Sequence, residues 1–287
     1  MIIETRASFG AAFFSLATLS CGGGLPLLHP AQVLPSGATS LSAGLGSQWV
    51  GGQASRAVEE ARAATAAGVS VTEVPTASAV AAALWPPGLF PWVSMRLGLG
   101  VESEAGVAYT ARRARIDARH AFLYGRWALS IGAGAGVGLA HASSTTSNGS
   151  TTFGASEPIA GIDTSGARSV AFDTPVIVGW HSAADIARIW FGLRPSYEHN
   201  YGYLTFNAQS GLLLASRSDL SADVMTLGGL VGLAMGLRPL FIALELGFGE
   251  SRAHGSMSGS PGGPAGGSAS LAAFSLTPAA ALIWEVR

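Results

Sequence analysis

The sequence predicts an all-β fold, an antiparallel transmembrane β-barrel of about ten strands with a short helical segment in the first long loop. Three observations predict it. Apolar residues recur at every second position through most of the chain, which is the period of a β-strand. Only 11% of the 287 residues are charged while 48% are hydrophobic, so little polar surface remains to face water. Short and long connections alternate along the chain, as they do in membrane barrels.

The alternation is clear in residues 127–138, where Leu129 and Ile131 share one face and Ser130 and Gly132 share the other. A soluble β-sandwich also alternates, but its polar face is open to solvent and carries many charged residues, whereas here that position is taken by Gly and Arg. The pattern is therefore typical of strands between lipid and a lumen. The predicted strands lie near residues 39–50, 92–100, 104–112, 114–123, 127–141, 172–181, 186–203, 222–237, 241–253 and 271–285.

The connections predict which ends of the strands share a side of the membrane. An even number of strands places both ends of the barrel on one side, the periplasmic side. The joint at 112–114 is tight where a longer outer loop is expected. The short joints lie near 101–103, 124–126, 182–185 and 238–240, and the long or Ser/Gly-rich ones at 51–91, 142–171, 204–221 and 254–270.

Residues 51–91 interrupt the alternation. The Ala-rich segment 54–68 predicts a helix, with Ser55 as a cap and Gly68 as a stop. Residues 76–84 predict a second short helix. Two interpretations stay open: a helical outer loop, or a plug that folds into the lumen.

The amino-terminal residues predict a signal peptide over 1–20. Residues 7–19 are apolar, a run too short to span a bilayer, and Arg6 supplies a positive charge before them. The sole cysteine, Cys21, follows a small residue directly after this run, as the acylated cysteine of a lipoprotein does. We therefore expect a lipid anchor at Cys21, a periplasmic linker over 21–38 and a barrel domain over 39–287. A cleaved signal with an incidental cysteine is the alternative.

Composition excludes several classes of protein. The net charge is −1, every basic residue is Arg, and no basic tract exceeds two residues, so no nucleic-acid partner is expected. One cysteine cannot form an internal disulfide or a cysteine-based zinc site. The glycines of 132–138 lack the spacing of a dinucleotide-binding loop, so no cofactor is expected. The 39 glycines suit inward positions, where they leave room for large side chains or a plug.

Alternation also predicts a cluster of charges on the lumen side. Charges at membrane depth must be paired or wetted. Two interpretations follow: an Arg–carboxylate ladder that fills the lumen, in which Glu245 compensates an Arg, or a passage that attracts anions through excess Arg. The predicted lumen charges are Arg96, Glu104, Arg112, Arg115, Asp117, Arg119, Arg188, Arg194, Glu198 and Glu245.

No catalytic or metal site is predicted. The sequence contains neither a zinc-protease helix motif nor a nucleophile elbow. His199 is expected to point outward and Glu198 inward, so the two cannot share a site. A helical span over 224–249 is a minor alternative to the hairpin predicted there.

These features resemble small bacterial outer-membrane β-barrels, especially barrel lipoproteins of this length. The resemblance runs from Cys21 to the carboxyl terminus and rests on the signal, on residues 104–109 and on the hairpin 227–248. It implies the outer membrane as location, with membrane lipid and the barrel assembly machinery as partners and a monomeric state. Such barrels usually end on an aromatic residue, whereas Trp284 lies three residues before Arg287.

The functional prediction is a membrane protein with an Arg-rich, charge-paired lumen and a structural or small-solute-handling role. One alternative is a barrel enzyme that acts on lipid or peptide at the outer rim. Another is surface recognition or adhesion through loops 142–171 and 254–270.

Overall fold

The chain folds as a closed antiparallel β-barrel of ten strands. The computed structural model describes residues 26–110, 113–139, 159, 161–207, 215–259 and 264–286. The barrel strands are β1 (Thr39–Gly52), β2 (Gly88–Gly100), β3 (Ser103–Thr110), β4 (Arg113–Tyr124), β5 (Trp127–Gly138), β6 in two parts (Ala167–Asp173 and Val176–His181), β7 (Ala187–Phe206), β8 (Ser216–Leu237), β9 (Leu240–Met257) and β10 (Gly267–Val286). A two-residue strand, Ile162–Asp163, also pairs with the end of β7.

Each strand pairs with the next along the chain, and β1 pairs with β10 to close the barrel, Thr39 opposite Val286. β6 counts as one strand because both its parts pair with β5 and β7 on either side of the break at Thr174 and Pro175. The predicted ten-stranded barrel is confirmed. The helical alternative over 224–249 is wrong, because these residues form the β8–β9 hairpin.

The two ends of the barrel differ. Both termini of the barrel domain and four short turns lie at one end, here called the turn end. The long connections lie at the other, the loop end, and so does the short joint where Thr110 of β3 pairs with Arg113 of β4. The loop end is uneven: β3 has 8 residues and β4 has 12, whereas β7, β8, β9 and β10 have 20, 22, 18 and 20. The wall formed by β7–β10, here the tall wall, therefore extends beyond the rest.

The outer surface carries a continuous apolar belt. On β9 the outward residues are apolar from Leu240 to Phe248 and become polar at Glu250 and beyond. Aromatic side chains lie near both limits of the belt, as in membrane barrels: Tyr124, Trp127 and Trp284 towards the turn end and Trp49, Tyr109 and Phe248 towards the loop end. Exposed apolar side chains between these limits include Leu41, Met95, Val107, Ile116, Ile131, Ile189, Leu233, Ile242, Leu244 and Leu282.

The belt makes one substitution informative. Leu244, which is 48% exposed, lies on the outward face of β9. An arginine at the bilayer midplane on this face costs about 2–4 kcal/mol, so Leu244→Arg is expected to reduce the yield of folded barrel. The measurement is the fraction of protein that migrates as the unheated, SDS-resistant form. Ser256→Arg is the matched control, because Ser256 is outward on the same strand but beyond the belt. Equal yields for the two variants would contradict the belt.

Two helices follow β1, α1 (Gln53–Ala66) and α2 (Thr76–Leu84), joined by a single turn of 3-10 helix. Both helices were predicted at these places. The predicted cap is wrong: α1 begins two residues before Ser55, whose hydroxyl binds the side chain of Glu59 instead. Gly68 has φ +90, a backbone conformation suited to glycine just after the helix. No helix in the described part of the chain is long and apolar enough to cross a membrane.

The helices fill the mouth of the loop end. Residues 79–82 of α2 are buried, and they belong to a core with the inward side chains of the tall wall. That core includes Leu204, Leu220, Ala222, Ala253 and Leu271. Side chains of both helices therefore pack against the inner face of the barrel at its loop end.

Residues 26–36, here called the strap, lie inside the barrel. The periplasmic linker predicted over 21–38 is corrected for this part: Leu27, Leu28 and Ala31 are 4%, 1% and 0% exposed. The chain enters at Ala38 beside β2, where it exchanges hydrogen bonds with Gly98. Period-two patterns reveal strands only, so an irregular segment that packs inside them leaves no signal of that kind. The predicted signal peptide and Cys21 lie outside the described residues.

Candidate functional site: the barrel interior

A chain of ion pairs begins at Glu104. This side chain is 1% exposed and accepts hydrogen bonds from Arg96 and from Arg119 Nε (2.8 Å). Its other oxygen accepts a bond from the backbone N–H of Leu34 in the strap (2.9 Å). Two guanidinium groups thus share one carboxylate, which also binds a segment that is distant in sequence.

The ion pairs continue around the inner wall from β2 to β7. Arg96 Nη2 lies 2.5 Å from Asp117, and Asp117 also binds Arg115. Arg115 forms a two-pronged bond with Asp173 at 2.9 and 2.6 Å, and Arg194 binds the same carboxylate at 2.5 Å. Four Arg and three carboxylates, counted with Glu104 and Arg119, form one network. A buried set of charges requires such pairing.

Glycines on neighbouring strands create the space for these side chains. A Cβ atom at Gly106 would lie 2.8 Å from Arg96 Nη1, and one at Gly134 would lie 2.7 Å from Arg115 Nε. On the opposite wall, a Cβ at Gly232 would lie 2.5 Å from Trp190 Nε1. The Gly-rich inward faces therefore allow long side chains to lie flat against the wall.

Glu245 differs from the other carboxylates. It is 5% exposed, and no described Arg lies within ion-pair distance of it. Its oxygens accept bonds from the consecutive backbone N–H groups of Leu27 (2.7 Å) and Leu28 (2.9 Å), and from Trp190 Nε1 (3.0 Å). Leu28 has φ +48, and successive amides in such a turn form a concave anion site. The predicted Arg partner of Glu245 is thus replaced by three uncharged donors.

The strap crosses the lumen between two opposite sides of the wall. At one side, Arg119 donates to the carbonyl oxygens of Pro30 and Gln32, the latter at 3.0 Å. At the other side is Glu245. Between them Leu27, Leu28 and Ala31 pack in an apolar core that includes Trp92, Trp190, Ile177, Leu230 and Phe241.

A chamber of about 200 Å³ lies between the strap and the helices. Pro26 and Leu27 bound it on one side, and Trp85 and Pro86 bound it on the other. Its inward charged side chains are Arg113 and Arg194, and Asp173, Glu198 and Glu245; Arg168, which also borders it, is exposed on the outer face of its strand. Its uncharged polar lining is Gln48, Ser169, Ser196, Asn200, Thr226, Ser251, Ser275 and Thr277.

A second cavity, of about 260 Å³, lies under the strap at the turn end. His29 and Gln32 line it, and His29 Nδ1 and both side-chain polar atoms of Gln32 make no hydrogen bond within the described residues. The Arg side chains around it are already bound to carboxylates. The polar atoms that remain without a partner therefore belong to the strap, whereas the Arg side chains of the wall are in ion pairs.

Ion pairs also surround the turn end. Arg188 binds Glu285 and, at 2.8 Å, Asp185, and Arg238 binds Asp185 at 2.7 Å. Partial burial favours the neutral acid of Asp185, but hydrogen bonds from Arg188 and the charges of Arg188 and Arg238 outweigh it, so the pKa of Asp185 lies below its usual range. His181 is not part of this group; its Nδ1 lies 3.0 Å from the carbonyl oxygen of Ser182.

This lowered pKa predicts a pH dependence. A carboxyl whose pKa is lower in the folded state contributes stability above its unfolded value, near 3.9, and that stability is lost as the pH falls further. The difference in free energy of unfolding between wild type and Asp185→Asn is expected to be about 1 kcal/mol or less at pH 7 and to shrink below about pH 4. Asn is suitable because Asp185 has φ +53, which Asn adopts readily. Urea titrations in detergent at several pH values measure it; a difference independent of pH would contradict the ion pair.

The structure places nine of the ten predicted lumen charges inside the barrel, and Arg112 lies outside the described residues. It does not bring them all together. Glu198 binds Arg113, and Arg188 binds at the turn end. Four charged partners were missed: Arg113, Asp173, Asp185 and Glu285. Arg113 lies two residues before Arg115 and therefore on the same face of the strand, which was a usable signal. Asp173 lies just before the interruption of β6 at Thr174 and Pro175, where the alternation of faces is lost.

Outward polar residues form no site comparable to the interior. His199 points outward as predicted and binds Asp223 at 2.8 Å, as does Tyr197 Oη at 2.6 Å. In the described part of the chain, no group of three His, Cys, Asp or Glu side chains could hold a metal ion. Most of the loop over 142–171 and residues 260–263 of the last loop lie outside the described residues.

No protein-family model matches the chain, and no curated protein is similar to it in sequence. In fold the chain is similar to the outer membrane protein OprG from Pseudomonas aeruginosa, with a TM-score of 0.37, 7% identity and coverage of 88% of this chain and 97% of that one. For a major outer membrane protein from Thermus thermophilus these values are 0.34, 13%, 86% and 99%. For Neisserial surface protein A they are 0.31, 10%, 87% and 99%. These neighbours are outer-membrane barrels, and the barrel assignment itself rests on this chain's own strand pairing.

Proposed function

We propose that the protein is a bacterial outer-membrane β-barrel that handles small polar solutes through its interior chamber. The membrane location is supported by the apolar belt, by aromatic residues at its limits and by the closed hydrogen bonding of the strands, which leaves no edge in lipid. With both barrel termini at the turn end, this end faces the periplasm. The strap then closes the periplasmic side, and the helices close the outer side.

The observation that carries the proposal is the chamber. A barrel with a purely structural role has no need of a polar space between two internal closures. The chamber holds several water molecules' volume and is smaller than the pockets of drug-sized ligands. Both closures belong to connecting segments, which move more easily than a closed sheet.

The lining indicates which solutes fit. The inward charged side chains are two Arg and three carboxylates, so the chamber has no excess of positive charge to attract anions. This lining gives no support to the anion passage and favours the ladder as the role of most lumen charges. Hydroxyl and amide groups then suit a small neutral or zwitterionic solute, which hydrogen bonds at both donor and acceptor positions.

Solute entry into proteoliposomes tests the proposal. Swelling rates are measured with glycine and with inorganic phosphate, for wild type, for a chain without residues 26–36 and for Glu245→Ala. We expect slow entry of glycine into wild-type liposomes, faster entry for both variants, and a smaller rise for phosphate. Rates equal to those of protein-free liposomes for all three proteins would refute solute handling.

We propose in addition that Cys21 carries a lipid anchor. The support for this anchor is the position of Cys21 in the sequence, directly after an apolar run of signal-peptide length and a small residue. Cys21→Ala is expected to leave an unprocessed precursor, and intact mass spectrometry of wild type to show the acyl mass. A mature chain with an unmodified cysteine, or one that starts beyond it, would refute the anchor.

The other two functions have no comparable support. Within the described residues, neither histidine nor cysteine lines the chamber, so a barrel enzyme would have to rely on Arg and carboxylates alone. Surface recognition would depend on loops of which large parts lie outside the described residues.

A further inference from the structure

We propose that the interior site occupied by the strap is a receptor for proline-containing polypeptide segments, which it can also bind when they come from another molecule on the periplasmic side. The strap is then the resident occupant of the site. This inference goes beyond solute handling, because its ligand is a peptide and its site lies beneath the chamber.

The first argument is that the charged side chains of the wall bind only main-chain atoms of the strap. Glu245 accepts from the N–H groups of Leu27 and Leu28, and Glu104 accepts from that of Leu34. Arg119 donates to two strap carbonyl oxygens. Because all five bonds go to backbone atoms, they do not require the side chains of this particular strap. Three buried charged residues, each 6% exposed or less, thus form a preformed set of donors and acceptors for a peptide backbone.

The second argument is the fit of the wall to a backbone. A Cβ atom at Gly98 would lie 2.6 Å from the carbonyl oxygen of Leu34, and one at Gly179 would lie 2.9 Å from Ala31 Cβ. Such close approach is possible only at glycine. The wall is therefore shaped along the course of the peptide, and the position of Ala31 admits only a small side chain.

The third argument is the composition of the strap. Residues 26, 30 and 35 are proline, and each proline fixes its own φ, which leaves the segment fewer conformations to lose on binding. Trp92 and Trp190, both fully buried, are part of the apolar core that receives Leu27 and Leu28. The favoured ligand is thus a proline-containing segment with two adjacent apolar side chains and a small residue three positions later.

Exchange of the strap tests the proposal. Pro35, Ser36 and Gly37 are exposed at the rim, so a protease site inserted after Ser36 allows the strap to be cut from the folded barrel. A fluorescent peptide of residues 26–36 is then added, and its anisotropy is measured. We expect saturable binding to the cut protein and little binding to the uncut one. Leu27→Asp with Leu28→Asp in the peptide should abolish binding.

Variants of the barrel provide the matched comparison. Glu245→Ala should weaken binding of the peptide to the cut barrel at least about tenfold, whereas Glu250→Ala, which removes an exposed outward carboxylate from the same strand, should not. If cutting destroys the SDS-resistant form of the barrel, a second experiment replaces the first. The peptide is added during refolding of a chain without residues 26–36, and we expect it to restore the SDS-resistant form. The proposal would be overturned if the peptide neither binds nor restores this form, or if binding is insensitive both to the Asp substitutions in the peptide and to Glu245→Ala in the barrel. Solute permeation can fail while this binding persists, so the two proposals are separable.

Discussion

Glu104→Ala is expected to lower the free energy of unfolding by about 3–5 kcal/mol, because it leaves the buried guanidinium group of Arg119 without a carboxylate partner. Removal of one partner of a buried ion pair leaves an uncompensated charge in a low-dielectric interior. Arg96 keeps Asp117, but Arg119 keeps only carbonyl oxygens of the strap. The backbone N–H of Leu34 also loses its acceptor.

The measurement is urea unfolding in detergent, followed by the loss of the SDS-resistant form. Glu250→Ala is the control, since Glu250 is exposed and paired only with the exposed Arg252; a surface pair of this kind contributes about 1 kcal/mol or less. An effect of Glu104→Ala no larger than that of the control would show that water reaches these charges and that the ladder is not buried.

Glu245→Ala is expected to detach the strap with a similar cost. Three N–H donors lose their acceptor at once, and each buried donor left without a partner costs about 1–3 kcal/mol. Because two of these donors belong to Leu27 and Leu28, much of the cost falls on the strap rather than on the strands. The barrel is thus expected to stay closed while the strap becomes accessible.

Limited proteolysis measures this effect. A protease added to detergent-folded Glu245→Ala should cleave within residues 26–36, and wild type should resist at the same sites. Glu245→Gln is expected to be intermediate, because its amide oxygen can accept but its NH₂ group faces a donor. Equal protection of the strap in Glu245→Ala and wild type would contradict its anchoring by this carboxylate.

Most of the barrel was predictable because lipid outside and packing inside impose a period of two on each strand. Leu244 and Glu245 are adjacent, yet one is 48% exposed and the other 5%, as parity requires. The helices were predictable from Ala-rich composition, but their place inside the mouth was not, because it depends on contacts with the distant tall wall.

The strap was missed for a physical reason. Its fold is set by contacts more than 200 residues apart in sequence, such as that of Leu27 with Glu245, and its prolines remove any strand or helix period. For the same reason parity predicted that Glu245 points inward but not that its partners are backbone amides. The excess of glycine was the signal available. Glycines lie on the inner wall where Arg side chains, Trp190 and the strap pack against it, because a Cβ atom there would clash with them.

The most direct test of this account is the reactivity of a thiol placed on the strap. Leu28→Cys is introduced in a Cys21→Ser background, because Leu28 is 1% exposed and Cys is smaller than Leu, so the substitution causes no clash. Ser36→Cys in the same background is the control, since Ser36 is exposed at the rim. A water-soluble maleimide is added to the folded protein in detergent, and intact mass spectrometry should find the label on Cys at position 36 and not on Cys at position 28. Equal labelling of the two positions in an SDS-resistant barrel would show that residues 26–36 do not occupy the lumen.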